Sequence, residues 1–189
     1  MKVPIEVSAR HIHLSENDMI SLFGSNYKLS IKKYLSQPGQ FACEERLTVK
    51  GPKGEIKGVI VLGPCRKETQ VEVSLTDCIK LGIEGKVRES GNLTDTPGCE
   101  IIGPEGSVLL GKGVIVSKRH IHMNFKDAES LGVKDGQIGK VKVVSNFRSL
   151  IFEDVVLRVN DNFSLSMHID TDEANAVGYN LGLCGDLSV

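Results

Sequence analysis

One phrase built on a His-x-His pair occurs twice in this chain and restricts the folds that the chain can adopt. Residues 7–15 read VSARHIHLS, and residues 116–124 read VSKRHIHMN. The first histidines of the two copies, His11 and His120, are 109 positions apart (120 − 11). The two pairs account for four of the five histidines in 189 residues. The repeat therefore predicts two halves of similar structure.

Each copy of the phrase continues into a short predicted helix. Ser15 and Asn124 have side chains that favour the N-cap position, and the segments ENDMISLFG and FKDAESLG follow them. Gly24 and Gly132 are expected to end these helices, since glycine is the commonest residue just beyond a helix C-terminus. Each half thus begins with a strand, the His-x-His pair, a capped helix and a glycine.

A second, weaker match lies further along each half. Residues 71–82 read VEVSLTDCIKLG and residues 167–178 read MHIDTDEANAVG. Both predict a strand, a helix that starts near Thr-Asp, and a closing glycine. Glu72 and His168 each lie ten positions before that glycine. The fifth histidine is therefore the counterpart of a glutamate.

The remaining sequence is typical of a mainly β protein. Short segments rich in Val, Ile and Leu, among them GEIKGVIVLG and GSVLLGKGVIVS, are separated by Gly, Pro and Asn. Helix signals are few and short. We therefore predict a mainly β fold, a barrel or a sandwich with short capping helices, in two halves of about residues 1–107 and 108–189.

Composition and charge exclude several functional classes. The net charge of −1 and the pI of about 6.5 give no reason to expect nucleic acid or an anionic membrane as a partner. No apolar run approaches the roughly 18 residues that a membrane helix needs, and the N-terminus resembles no secretion signal. Five cysteines without a Cys-x-x-Cys motif predict free thiols in a reducing, cytoplasmic setting.

The repeated histidines predict two metal sites. Residues i and i+2 of a strand point to the same face, so two imidazoles at this spacing can converge on one ion at about 2.0–2.1 Å each. Open sets of three nitrogen and oxygen ligands are typical of catalytic zinc, so we expect two Zn²⁺ per chain. The alternative is surface or hydrogen-bonded core histidines. The predicted ligands are His11, His13 and Glu72 in one half and His120, His122 and His168 in the other.

Arginines near these sites are candidate anion contacts. Arg66 lies in a Gly-Pro turn six residues before Glu72, and a guanidinium beside a metal is a good receptor for phosphate or carboxylate. The alternative is a solvated turn arginine. Arg10 and Arg119 precede the two His-x-His pairs but are weaker candidates, because neighbours in a strand point to opposite faces.

The segments VSARHIHLS, GPKG, VLGPCRKETQVEVSLTD and VSKRHIHM resemble the PduL-type phosphotransacylases, the phosphate propanoyltransferases of propanediol utilisation. The resemblance covers nearly the whole chain. It implies a dinuclear zinc enzyme that interconverts a short-chain acyl-CoA plus phosphate with acyl phosphate plus CoA. It also implies two small β-barrel domains, one of residues 10–117 and the other of residues 1–9 with 118–189.

The resemblance also assigns residues to the substrates. It implies the same six zinc ligands and gives phosphate binding to Arg66. Ile60 stands where the family has a basic CoA contact, so the grip on the CoA phosphates is expected to differ. A homodimer is expected. We expect this chain to lack the microcompartment-targeting N-terminal extension of some members, and we expect a bacterial cytoplasmic protein that is not self-targeted. The positions that match CoA contacts are Ser8, Ala9, Arg10, Lys53 and Asn175.

Ligand chemistry by itself leaves other functions open. A dimetal acyl-CoA thioesterase or other hydrolase would use the same ligands with a bridging hydroxide. A non-catalytic metal-binding protein would bind the metal without turnover. An acyl-enzyme on Cys65, beside Arg66, is a further alternative, although no histidine remains to activate that thiol.

Overall fold

The computed structural model describes all 189 residues, and the chain divides into two compact units. The closed-barrel unit consists of residues 1–8 and 118–189, and the open-sheet unit consists of residues 9–117. None of the helices has the length and apolar character that crossing a bilayer would require.

Short strands make up most of both units, and four short helices connect some of them. The strands are β1 (Lys2–Val7), β2 (His11–Ser15), β3 (Ile31–Tyr34), β4 (Phe41–Lys50), β5 (Glu55–Arg66), β6 (Gln70–Val73), β7 (Val87–Arg88), β8 (Cys99–Ile102), β9 (Ser107–Leu110), β10 (Val114–Ser117), β11 (His120–Met123), β12 (Ile138–Val143), β13 (Leu150–Val159), β14 (Ser166–Ile169) and β15 (Cys184–Ser188). The helices are α1 (Glu16–Phe23), α2 (Leu75–Leu81), α3 (Phe125–Leu131) and α4 (Thr171–Val177).

Six strands of the closed-barrel unit form a closed barrel in the order β1, β14, β11, β13, β12 and β15. β1 pairs in parallel with β14 and antiparallel with β15, which completes the circle. Closure leaves no edge strand with unpaired backbone groups. Inside, Ile121, Met123, Leu157 and Met167 are fully buried and belong to a single apolar core.

Nine strands of the open-sheet unit form a sheet that does not close. The order is β7, β10, β6, β2, β5, β4, β8 and β9, and β3 pairs with β4 on the side. Its own core includes Ile12, Leu14, Val61 and Ile101. This sheet is a half-barrel, so the two units differ in closure although both are β structures.

The two units repeat one arrangement around the His-x-His strands. β2 pairs in parallel with β5 and antiparallel with β6, and β11 pairs in the same two ways with β13 and β14. Even the register is shared, since His11 lies opposite Glu72 and His120 lies opposite His168. The internal repeat read from the sequence is therefore a repeat of strand pairing.

Each half of the sequence contributes to the unit that the other half builds. β1 comes from the first half and pairs with β14, with Glu6 opposite His168. β10 comes from the second half and pairs with β6, with Ile115 opposite Glu72. Glu6 and Ile115 are themselves 109 positions apart, so this exchange of strands obeys the repeat.

The predicted helix ends are confirmed. The side chains of Ser15 and Asn124 accept hydrogen bonds from backbone N–H groups in the first turns of α1 and α3. Gly24 and Gly132 end these helices, and Gly132 has the left-handed backbone that favours glycine. The segment GSVLLGKGVIVS forms two strands rather than one, because the chain turns at Gly113 with φ +120°. The prediction of a mainly β protein with short helices is confirmed.

Candidate metal sites and anion contact

The first candidate metal site is built on β2 in the open-sheet unit. Ile12 and Leu14 point into the core, so the alternation of a strand turns His11 and His13 to the opposite face. The antiparallel partner β6 places Glu72 directly across from His11. All three side chains are buried, and one ligand atom from each lies within 4.8 Å of the others.

Distances within this site suit one ion. Nε2 of His11 lies 3.5 Å from Oε1 of Glu72, and Nε2 of His13 lies 3.9 Å from the same oxygen. Two donors bound to one tetrahedral zinc lie about 3.3–3.4 Å apart, given bonds of about 2.0–2.1 Å. Nδ1 of His11 lies 2.8 Å from the carbonyl oxygen of Ala9. That contact fixes the ring and presents Nε2 to the site.

Burial and neighbouring charges shift the pKa values of all three residues in the first site. Burial disfavours the charged form of His11, but the carboxylate of Glu72 outweighs it and raises the pKa of that ring. Burial would raise the pKa of Glu72, yet the positive charge of His11 keeps that pKa well below its ordinary value. Burial, with the charges of His11 and Arg66, lowers the pKa of His13 well below its ordinary value. This shift favours the neutral imidazole of His13, the form that binds metals.

The second candidate site repeats the design on β11 in the closed-barrel unit. One ligand atom each from His120, His122 and His168 lies within 4.8 Å of the others. Nδ1 of His120 lies 2.8 Å from the carbonyl oxygen of Lys118, which copies the contact of His11. Burial, with the charges of His120 and His168, lowers the pKa of His122 to about 2.

The chemistry of the donors shows that a metal fits these sites. Each set brings three buried or half-buried donors of nitrogen or oxygen type to within 4.8 Å of one another. In the first set, Nε2 of His11 and Nε2 of His13 both face the carboxylate of Glu72. The donor sets, two His with Glu and three His, are those of catalytic zinc.

Arg66 lies beside the first site, as expected from its sequence position. Its Nη1 donates to Oγ of Ser90 at 2.9 Å, and Oγ of Ser90 lies 3.0 Å from Oε1 of Glu72. Its positive charge also acts on His11, His13 and Glu72. Arg66 is thus placed through one serine beside the predicted ligands.

The arginines that precede the His-x-His pairs are each tied to a helix cap. Nε of Arg10 lies 2.8 Å from Oδ2 of Asp77, and Nε of Arg119 lies 2.8 Å from Oε1 of Glu173. Asp77 and Glu173 are the capping-box carboxylates of α2 and α4. The ion pairs join the start of each His-x-His strand to the helix that follows the third ligand.

The other residues matched to CoA contacts are placed separately. The backbone N–H of Ser8 donates to the carbonyl of Ile169 at 2.8 Å, within the closed-barrel unit. Ala9 is exposed and supplies the carbonyl that faces His11. Lys53 is exposed in the turn between β4 and β5, and Asn175 is exposed on α4.

The sequence interpretation missed several residues around the two sites. Gln70 and Ser90 contact Glu72 directly, with Nε2 of Gln70 at 2.6 Å from Oε1. Oγ of Ser166 lies 3.0 Å from Nε2 of His168, and Arg158 lies opposite His122. Gln70 and Ser166 each stand two positions before the third ligand, so strand alternation was a usable signal for them. No local pattern marks Ser90 or Arg158.

Comparison with known proteins finds relatives that match nearly the whole chain. The model of the phosphate propanoyltransferase family matches residues 4–180. The chain is 56% identical over 183 residues to a phosphate propanoyltransferase of Sebaldella termitidis. The matched residues make up 97% of this chain and 86% of that protein. A phosphate propanoyltransferase of Thermotoga maritima is 56% identical over 178 residues (94% and 85%), and one of Clostridioides difficile is 54% identical over 180 residues (95% and 86%).

Proposed function

The chain belongs to the phosphate propanoyltransferase family, and we propose that it exchanges a short acyl group between CoA and phosphate. It is a phosphotransacylase, which confirms the enzyme class predicted from the sequence. The reaction interconverts acyl-CoA plus phosphate with acyl phosphate plus CoA. The observation that carries this proposal is the position of Arg66, whose guanidinium is held one serine away from Glu72 in a buried set of candidate metal ligands.

We infer that each unit binds one zinc ion. The residues that would hold the ions are His11, His13 and Glu72 in the open-sheet unit and His120, His122 and His168 in the closed-barrel unit. When bound, zinc supplies Lewis acidity toward carbonyl or phosphate oxygens and affinity for a thiolate. The close approach of three nitrogen and oxygen donors in each set supports this assignment.

Arg66 is proposed to bind phosphate and orient it. A guanidinium presents a fork of N–H donors that matches two phosphate oxygens, and its charge stays fixed at any working pH. The Ser90 hydroxyl holds one arm of the fork, which restricts how the remaining N–H groups can point. Phosphate held in one orientation has already lost much of the entropy that a bimolecular reaction must lose.

The proposed reaction transfers the acyl group directly. A phosphate oxygen attacks the thioester carbonyl carbon, the C–S bond breaks with its electron pair, and CoA leaves as the thiolate. No protein group need be acylated. Burial, together with the negative charge of Glu16, raises the pKa of Cys65. That shift disfavours the thiolate which an acyl-enzyme on Cys65 would require.

We propose Lys53 and Asn175 as the residues that contact CoA. Exposed Lys53 offers a cation for a CoA phosphate, and the amide of exposed Asn175 offers polar contacts. Arg10 forms an ion pair with Asp77. Its first proposed role is therefore to hold β2 against α2, and contact with CoA is its second. Ile60 cannot form an ion pair, so Lys53 would carry more of that contact. A homodimer stays a prediction.

Phosphate dependence tests the function. The purified, zinc-loaded protein is given acetyl-, propanoyl- and butanoyl-CoA, with and without phosphate, and free CoA is measured with a thiol reagent. We expect CoA release with phosphate and formation of acyl phosphate in equal amount. CoA release at the same rate without phosphate would establish a thioesterase instead. Zinc binding without CoA release from any of the three thioesters would establish a non-catalytic metal protein.

A further inference from the structure

Gln70 is the one polar residue among the largest fully buried side chains of the protein, with 1% of its surface exposed. It lies on β6 two positions before Glu72, opposite His13 on β2. Strand alternation therefore directs it to the same face as the first metal-ligand set. A buried amide must satisfy both its donors and its acceptor.

The hydrogen bonds of Gln70 fix which way its amide faces. The backbone N–H of Gly91 can only donate, and it lies 2.7 Å from Oε1 of Gln70. The amide oxygen is thus assigned to Gly91, and the NH₂ group must face the other way. There, Nε2 lies 2.6 Å from Oε1 of Glu72 and 2.8 Å from Oγ of Ser90. Its two hydrogens match these two acceptors.

The donor and acceptor roles of the Ser90 hydroxyl then follow as well. A serine hydroxyl has one hydrogen to donate and can accept two hydrogen bonds. Arg66 and Gln70 both donate to it, at 2.9 Å and 2.8 Å, so its own hydrogen goes to Glu72 at 3.0 Å. Every donor in this chain of contacts runs toward the carboxylate of Glu72.

We propose that Gln70 is a positioning residue that holds the metal ligand Glu72 and, through Ser90, sets the orientation of the anion receptor Arg66. The role of Gln70 toward Glu72 depends only on the candidate zinc ligands. Its role toward Arg66 rests on the proposed function, in which Arg66 binds phosphate. Donors to a ligating carboxylate fix its rotamer before the ion arrives. The neutral amide does this without adding charge, so the site keeps only the single negative charge of Glu72.

In the closed-barrel unit, a shorter side chain occupies the position that corresponds to Gln70. Ser166 is the counterpart of Gln70, because it stands two positions before His168 and lies opposite His122. It is equally buried, and its Oγ lies 3.0 Å from Nε2 of His168. Its short side chain carries one hydroxyl in place of two amide donors and an amide acceptor. In the first site the same position carries a longer amide, which reaches both Glu72 and Ser90.

The first experiment measures zinc affinity in the full chain with the second site disabled by His120→Ala and His122→Ala. Gln70→Met keeps the volume and removes the donors. We expect its zinc affinity, by competition with a chromophoric chelator, to fall by about 10- to 100-fold. The control is Gln37→Met, because Gln37 is also buried (3% exposed) but lies in the turn between β3 and β4. It should leave zinc affinity unchanged.

A second readout separates positioning from general damage. In the otherwise wild-type chain, saturated with zinc, Gln70→Met should raise the KM for phosphate by roughly tenfold, with less effect on the KM for acyl-CoA. A Gln70→Met protein that is folded by circular dichroism and binds zinc as tightly as its parent would overturn the proposal. So would an unchanged KM for phosphate. If CoA release proved independent of phosphate, the proposed function would fail, and the zinc measurement would still decide the role of Gln70 toward Glu72.

Discussion

His168 lies directly opposite His120 across the antiparallel pair of β11 and β14. Glu72 has the same relation to His11 on β2 and β6, so the two ligand sets differ in one residue at one position. A zinc with three neutral imidazoles keeps a local charge of +2, whereas Glu72 reduces that of the first site to +1. The second site should therefore be the stronger Lewis acid.

Zinc content should follow the two ligand sets independently. We expect two zinc ions per chain, and one after His11→Ala with His13→Ala or after His120→Ala with His122→Ala, because each set lies within a single compact unit. Elemental analysis of the purified proteins measures this. Loss of both ions from either double variant would show that the sites do not load separately.

Both sets should be needed for turnover. Each double variant, refolded in zinc, is expected to lose nearly all phosphate-dependent CoA release. Full activity with only one set intact would mean that the other set has no part in the reaction.

Arg66→Ala should raise the KM for phosphate far more than the KM for acyl-CoA. A charge-assisted pair contributes about 1.5–3 kcal/mol, so the increase should be roughly 10- to 150-fold. Arg66→Lys should restore only part of the loss, because an ammonium keeps the charge without the fork. Steady-state kinetics with each substrate varied gives both constants.

The matched measurement for Arg66 is zinc content, which should not change, because the guanidinium is not a ligand. If Arg66→Ala raised the KM for acyl-CoA alone, Arg66 would be a CoA contact rather than a phosphate receptor.

The cysteines should differ widely in reactivity toward iodoacetamide at pH 8. Burial raises the pKa of Cys99 to about 12 and, with the charge of Glu45, that of Cys43 to about 11. Only a small fraction of either thiol ionises at pH 8, since pH must rise to the pKa before half the thiolate forms. Cys184 is exposed and should react first, as peptide mass spectrometry of timed samples would show.

Alkylation at Cys184 should leave phosphate-dependent activity in place, because that thiol belongs to neither ligand set. The covalent route is tested by Cys65→Ala, which should keep most of the activity. Near-total loss of activity in the folded, zinc-loaded Cys65→Ala protein would instead support a mechanism with an acyl-enzyme on Cys65.

Truncation of Leu157 should destabilise the closed-barrel unit. Leu157 is fully buried on β13, so Leu157→Ala should cost about 2–5 kcal/mol. Ile151 lies on the same strand with 56% of its surface exposed, and Ile151→Ala should change stability by less than about 0.5 kcal/mol. Native-state hydrogen exchange of β11 and β14 reports this unit separately. Equal exchange rates in the two variants would contradict the burial argument.

The sequence predicted those features that depend on local periodicity. Alternation within β2 and β11 put each His-x-His pair on one face, and short polar side chains at residues 15 and 124 capped the helices. The ten-residue spacing to Gly82 and Gly178 led to Glu72 and His168, which lie opposite His11 and His120. These features follow from contacts within a strand or one helical turn.

Features that depend on distant pairing were not readable in the same way. The half-barrel form of the open-sheet unit is set by which strand edges meet, and alternation within a strand carries no such information. Ser90 lies 18 positions after Glu72, in a segment with little regular structure, and reaches the site only through the fold. The ion pair of Arg10 with Asp77 depends likewise on β2 lying beside β6.

The exchange of β1 and β10 between the halves determines how the chain can be rearranged. A cut at the repeat boundary, between residues 107 and 108, would separate β1 from β14 and β10 from β6. The amino group of Met1 lies 3.3 Å from the carbonyl oxygen of Leu187, so the two termini are neighbours. A circular permutant that joins them and opens the chain between Ser8 and Ala9 would place each unit in one uninterrupted stretch. In that permuted order, either metal site could be produced from a single continuous gene segment.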